Sequence, residues 1–503
     1  MSRLDSRATR GPRLASCAMA LGVFLAGCAS THGIVPQGRL LDADHLAATD
    51  SLGTVSAAAF PRQDWWTTLG DPQLDALISE ALAGTPSLDA ADARERQAIA
   101  QAALADSARK PQIGVGAQYS GLLIPESIAP EPLGGSYQGI FLLDLNLKYS
   151  FDLWGGKRAR WEAALGQARA AEVDAQAARL MLSSDIARAY TTLAQAFAAH
   201  DVAIADKDRA SRLLELGRQR VKAGIDNQLQ LRQAESSVAS ARQQAQAAQQ
   251  QIDALRNAIA ALLGKGPDRG LDITKTALLA APSPGVPSLL PSELLGHRPD
   301  VVAARWRVEA ARHGIKASKA AFYPTINLSA MIGLASGGLS ELFNSNALLV
   351  QGGPAISLPI FDGGGLRNQL AKSDADYDLA VATYNQTLVA ALREVTDALQ
   401  AARSLDAQIA SATQARTAAQ GAWQLAMTRY RAGLGTQLDV LAAQRPLLQF
   451  DQQLATLRAQ RITAAIDLDR ALGGGLMPTS PGSDQDVANQ DIANQNIAKA
   501  PTP

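Results

Sequence analysis

The chain has 503 residues, with 47 basic and 47 acidic side chains and no net charge. That balance gives no electrostatic argument for nucleic acid as a partner. Charged residues make up 19% and aromatics only 5%, and Ala and Gln crowd the middle of the chain, a composition that favours helices.

The first element is a targeting segment. Arg3, Arg7, Arg10 and Arg13 form a positive region, and LASCAMALGVFLAG, residues 14 to 27, is an apolar stretch too short to span a membrane as a mature helix. It ends in LAGC. Small residues before a Cys at that point resemble a bacterial lipobox, in which Cys28 becomes the lipidated first residue of the mature chain. An ordinary signal peptide with an incidental Cys is the alternative. Ala29 rather than Asp follows, which by the bacterial sorting rule favours the outer membrane. Cys17 lies inside the leader, so the mature chain has no Cys pair for a disulfide and none for a metal site.

Next, Thr85-Pro86 reads as an N-cap followed by proline at the first helical position. Two candidate strands follow, QIGVGAQYSG (112 to 121) and FLLDLNLKYSFD (141 to 152). WGGKR (154 to 158) then leads into a proline-free region that runs from Pro132 to Pro267. Neither this stretch nor DGGGLR (362 to 367) has the Gly-Lys-Ser/Thr ending of a phosphate loop, so both read as tight strand-to-helix turns.

From there the chain repeats itself. RVKAGIDNQLQLRQAE (220 to 235) returns as RYRAGLGTQLDVLAAQ (429 to 444), and Gly224 and Gly433 are 209 residues apart. Arg158 and Arg367, and Gly264 and Gly473, keep the same separation. Upstream, 85 to 113 aligns with 298 to 326, and the second half has its own strands at 326 to 335 and 349 to 361. Each half is helix, strand, strand, long helix, helix. Gapless conservation of length suits continuous helices, since one inserted residue rotates everything after it by about 100°. Tyr377, Val381, Tyr384, Leu388, Leu392, Val395, Leu399 and Ala402 form one apolar seam. Pro446 should kink the shorter second-half helix. Sixty-six residues from Arg158 to Gly224 reach roughly 100 Å. A glycine that ends such a helix supplies the left-handed turn, so Gly224 and Gly433 mark two helical-hairpin tips.

The strands have the length of tilted membrane-spanning strands. Alternation alone fits a soluble half-buried sheet equally well. Four strands cannot close a membrane barrel, whose smallest forms have about eight, so several chains must share one wall; three would give twelve.

An ordered set of stretches carries a family resemblance: DWWTTLGDPQLDALISEALAGTPSL (64 to 88), FDLWGGKR (151 to 158), ELLGHRPDVVAAR (293 to 305), AAFYPTINLSA (320 to 330), LPIFDGGGLR (358 to 367) and RYRAGLGTQLDVLAAQ. The chain resembles the TolC-type outer-membrane efflux proteins, in their lipoprotein branch. That resemblance implies a mainly α fold with a membrane β-barrel. It implies a homotrimer whose helices form a hollow tunnel and whose twelve strands, four per chain, form the barrel. It implies a periplasmic adaptor and an inner-membrane pump of the resistance-nodulation-division type as partners, and export of small molecules such as drugs. By the same resemblance Asp439 lines the closed periplasmic aperture, where three copies would form an acidic ring. Gln230 is its first-hairpin counterpart, and a further acidic position of the family is Ala442 here. Tyr430 and Arg429 fall where the family holds the tips together.

The five histidines show no metal-type spacing and no nucleophile motif appears, so neither an enzyme nor a cofactor is expected. Two rivals remain: a periplasmic lipoprotein scaffold or adaptor without a channel, and an outer-membrane exit duct for protein secretion. The expected organisation is a signal peptide (1–27), a lipid-anchored segment (28–63), a first repeat (64–270), a linker (271–297), a second repeat (298–475) and a disordered tail (476–503).

Overall fold

A computed structural model describes residues 31, 33–42, 46, 51, 59–125, 127–128, 135–286 and 294–476, with the side chains of Gln138, Leu294 and Leu295 left out. Cys28, the leader and the tail beyond Leu476 lie outside the described residues. The main elements are α1 (Pro72–Ala83), α2 (Pro86–Ser107), β1 (Gln112–Leu123), β2 (Tyr137–Phe151), α3 (Gly156–Lys222), α4 (Gln228–Leu262), α5 (Pro299–Ala320), β3 (Thr325–Ser336), β4 (Leu348–Ser357), α6 (Gly365–Arg431) and α7 (Gln437–Ala471). Every boundary of α3 and α4 recurs 209 residues later in α6 and α7, which are again 67 and 35 residues long.

The local chemistry explains the boundaries. Pro86 opens α2 and Pro299 opens α5, where the missing N–H costs nothing. Asp152 accepts the N–H groups of Lys157 (2.9 Å) and Arg158 (2.7 Å) at the start of α3. Asp362 does the same for Gly364 (3.1 Å) and Leu366 (2.5 Å) at the start of α6. These two aspartates, with Gly155, Gly363 and Gly364 at positive φ, turn strand into helix.

Two compact units emerge. One holds residues up to Leu40, Arg96–Ala170 and Arg305–Thr383; the other holds Leu41–Glu95, Ala171–Ala304 and the chain from Tyr384 onward. Each draws on both halves of the sequence. The first unit contains an antiparallel sheet in the order β1-β2-β3-β4. The second is built around a helical core. Trp65, Leu74, Leu77 and Ile78 pack on Ile186, Tyr190 and Leu193 of α3, Ile252 and Ile259 of α4, and Ile462 and Ile466 of α7. Tyr190 donates to Asp71 (2.8 Å), which also caps α1, so one carboxylate joins two helices. The seam from Val381 to Ala402 is buried throughout.

One expectation shifts. The last strand ends at Ser357 rather than Phe361, because Pro359 has no donor for a ladder and restricts Leu358 before it. Helix α7 is unbroken through Pro446, with Val440, Leu447 and Leu454 buried on both sides of it.

Candidate functional site: a two-faced sheet and two hairpin tips

Among the described residues no helix is long and apolar enough to cross a membrane. The sheet is a different matter. Its register stacks Ile113, Leu147, Ala330 and Gly352 in one row, Val115, Leu145, Ile332 and Val350 in the next, and Ala117, Leu143, Leu334 and Leu348 above. All belong to one face, which carries no charged residue on any strand. It is also uncovered: Val115 is 77% exposed, Ile113 71%, Ile356 73% and Val350 67%. The opposite face carries Gln112, Lys148 and Ser329 in one row and Asn146, Met331 and Gln351 in another.

An uncovered apolar face spanning four strands far exceeds the scattered exposed side chains of an ordinary soluble surface. Lipid outside and water inside would satisfy both faces. Aromatic side chains mark both ends of the sheet. Trp154 stacks on Tyr323 at 4.6 Å and donates to the carbonyl of Pro324 (2.8 Å), and Phe361, four residues past the end of β4, is 91% exposed. At the other end the hydroxyls of Tyr119 and Tyr137 are 3.4 Å apart. Amphipathic rings in such positions suit the two membrane–water boundaries. The outer edges of β1 and β4 have no partner strand among the described residues.

The hairpin tips lie in the second unit. Gly224 and Gly433 have φ of 72° and 73°, and each tip closes with the same bonds, Ile225 N–H to the Arg220 carbonyl (2.9 Å) and Leu434 N–H to that of Arg429 (2.8 Å). Asn227 and Gln230 form a capping box at the start of α4, and Thr436 and Asp439 form the matching one at the start of α7. The Asp439 carboxylate accepts from Thr436 N–H (2.7 Å) and from its hydroxyl (2.8 Å). The Thr436 N–H bond, then the hydroxyl bond, hold it below the usual carboxylate range against a small effect of burial. Gln230 and Asp439 therefore share a position and a local role.

Tyr430 is fully buried and joins the two hairpins. Its hydroxyl donates to Asp226 (2.7 Å), its carbonyl accepts from Arg220 (3.1 Å), and the Arg220 guanidinium lies 4.4 Å from its ring centre. Arg220 also grips Asp226 with two bonds, at 2.9 and 3.2 Å. Burial works against the Asp226 charge, but the bonds from Arg220 and Tyr430 outweigh it and hold the carboxyl below its usual range. Burial, then the Asp226 bond, pushes the Tyr430 phenol up to about 12. Arg429 stays outside this link and bonds its own loop at the Leu434 carbonyl (3.3 Å).

Sequence reasoning did not single out Arg220 or Asp226. The signal lay in the differences between the repeats. Position 221 is Val where 430 is Tyr, and 226 is Asp where 435 is Gly, and the link uses these two of the positions where the copies diverge. Around it the tips expose Ile225 (62%), Leu229 (66%), Leu434 (72%) and Leu438 (67%), again two pairs 209 residues apart.

Residues 77–265 and 290–474 match the family described as outer membrane efflux protein. The multidrug resistance outer membrane protein MdtP of Escherichia coli is 30% identical over 90% of this chain and 94% of its own length. The pyoverdine export outer membrane protein OpmQ of Pseudomonas putida is 32% identical over 92% and 98%. The fusaric acid resistance protein FusA of Burkholderia cepacia is 38% identical over 74% and 71%. Among solved structures, the outer membrane protein VceC of Vibrio cholerae is 38% identical, with a TM-score of 0.77 over 83% of this chain and all of its own. The outer-membrane channel OprN is 27% identical, with a TM-score of 0.80 over 89% of this chain.

Proposed function

The chain belongs to the outer membrane efflux protein family, and on that premise we propose how it conducts. It is an outer-membrane channel of a tripartite efflux system, with the family's helical tunnel and β-barrel fold. The observation that carries the reading is the two-faced sheet. Its apolar face contacts lipid, its polar face lines water, and its open edges pair with those of sister copies. Three copies of four strands give a twelve-stranded wall, so the working unit is a homotrimer.

The tips form the periplasmic aperture. Tyr430, Asp226 and Arg220 tie the second hairpin to the first and hold it closed, and Asp439 places a carboxylate at the opening. The repeated apolar residues at positions 225, 229, 434 and 438 give an adaptor protein a docking surface on each tip. The adaptor links the channel to an inner-membrane pump. Small molecules pass through, as the names of relatives in multidrug resistance, fusaric acid resistance and pyoverdine export suggest.

Cys28 is the lipid anchor. Residues 37 and 38 are held against α6 by Asp378, which accepts both N–H groups (2.9 and 2.6 Å). Asp378 is thirteen residues, roughly 20 Å, along α6 from its start beside the sheet. The nine residues back to Cys28 can reach about 30 Å. Mass spectrometry of the native protein should find acyl chains on Cys28, and Cys28→Ser should lack them.

Purified protein in a planar bilayer tests the channel itself. Discrete conductance steps are expected. A silent bilayer with well-folded protein would favour the scaffold.

A further inference from the structure

We propose that Asp144 sets the charge preference of the barrel lumen, three copies forming a carboxylate collar at mid-height that favours cationic over anionic permeants. This rests on the reading of the sheet as one third of a water-filled barrel.

Asp144 is the central residue of β2, which runs Tyr137–Phe151, and it lies on the polar face. Its row neighbours are Gly116 on β1 and Gly333 on β3. A methyl group added to Gly116 would sit 2.6 Å from the Asp144 carboxylate, and one added to Gly333 would sit 2.9 Å from its Cα. The carboxylate therefore lies along the wall over a glycine, with no side chain beside it from the row neighbours on β1 and β3. The carboxylate accepts a hydrogen bond from the neutral Asn146 amide, at 3.0 Å.

No basic residue stands in the Asp144 row or in the row on either side. The basic residue on this face of the four strands is Lys148, four residues along the same strand, or about 13 Å away. That exceeds the screening length of about 8 Å at physiological salt. The two rings thus act at separate heights, and a permeant beside Asp144 feels chiefly the carboxylates.

A thiol one row away reads the local potential. Gln118→Cys places it on the lumen face, in the row next to Asp144. The chain's natural cysteines are Cys17, in the leader, and Cys28. Reconstituted full-length Gln118→Cys protein is treated with trimethylammonium-ethyl and with sulfonato-ethyl methanethiosulfonate, and the ratio of the two rates is measured. Asp144→Asn should lower the cation-to-anion ratio about threefold at physiological salt and by a larger factor at about 0.01 M salt. Asp144→Glu should keep the ratio, which separates charge from folding. Reaction with an unchanged ratio at both salt concentrations would overturn the collar alone. A thiol at 118 inert to both reagents in folded trimer would overturn the water-filled lumen and the collar with it.

Discussion

Tyr430→Phe keeps the buried ring and removes one hydroxyl. That hydroxyl donates to an ionised carboxylate at 2.7 Å, in a site where the Asp226 side chain is 5% exposed and Arg220 12%. A bond of this kind is worth about 1.5–3 kcal/mol. If the link exists only in the closed tip, losing it raises the open-to-closed ratio by about 10- to 150-fold. Asp226→Ala should do more, because it strips Arg220 of both its bonds to a carboxylate and leaves a nearly buried cation held only by the Tyr430 carbonyl, a loss of about 3–5 kcal/mol. The assay is single-channel open probability in planar bilayers, with thermal stability of the same detergent preparations alongside. A double variant of Tyr430→Phe and Asp226→Asn should show a coupling of about 0.5–3 kcal/mol, since the two changes remove the same bond. The pH dependence has a worked sign. The Asp226 carboxyl is held low, so its contribution is present above the usual carboxylate value of 3.8 and fades as pH falls through its lowered value. Tyr430 is held high, so its contribution survives until pH rises toward about 12. The closed tip should therefore be insensitive to pH across the neutral range. Unchanged open probability in both single variants, with unchanged stability, would refute the link as a closing device.

Asp439→Ala should raise conductance or weaken cation preference, read from reversal potentials in a salt gradient; unaltered single-channel behaviour would remove Asp439 from the aperture. Asp469, raised to about 7 by burial alone, favours its protonated form in the fold. Its stability contribution is complete below the unfolded value of 3.8 and is lost as pH rises through about 7, at most about 4 kcal/mol. Asp469→Asn should thus raise the melting temperature at pH 8 and change it little at pH 4. Two glycines of like backbone should differ in cost. At Gly433 a methyl group meets nothing within 4 Å, so Gly433→Ala should cost only the left-handed strain, about 1–2 kcal/mol. At Gly473 it would lie 2.0 Å from the His297 carbonyl, so Gly473→Ala should destabilise by clearly more in the same melting assay.

The long helices were readable because glycine and proline punctuate them and because the repeat doubles each signal. Lys222 and Arg431 end their helices one residue short of the Ala-Gly pair. The strands were readable in place but not in meaning. Alternation along one strand fits water or lipid equally. Only the register shows that Val115, Leu145, Ile332 and Val350 form one unbroken apolar row. Thr436-Gln437-Leu438-Asp439 and Asn227-Gln228-Leu229-Gln230 carry capping signals that local rules could have found. The Tyr430 link was hidden for another reason. It joins residues 204 apart in the chain, at positions where the repeats differ and not where they agree.

The unpaired rims of β1 and β4 bear on how the protein reaches its membrane. A solitary subunit in lipid would leave two rows of backbone amides and carbonyls with no water to bond, a penalty of several kcal/mol for each group. Insertion and assembly are then a single step for this chain, with sister subunits meeting before or during entry. The rate of biogenesis should therefore rise more steeply than linearly with the amount of newly exported protein, and a slow supply should leave monomers stranded for periplasmic chaperones and proteases.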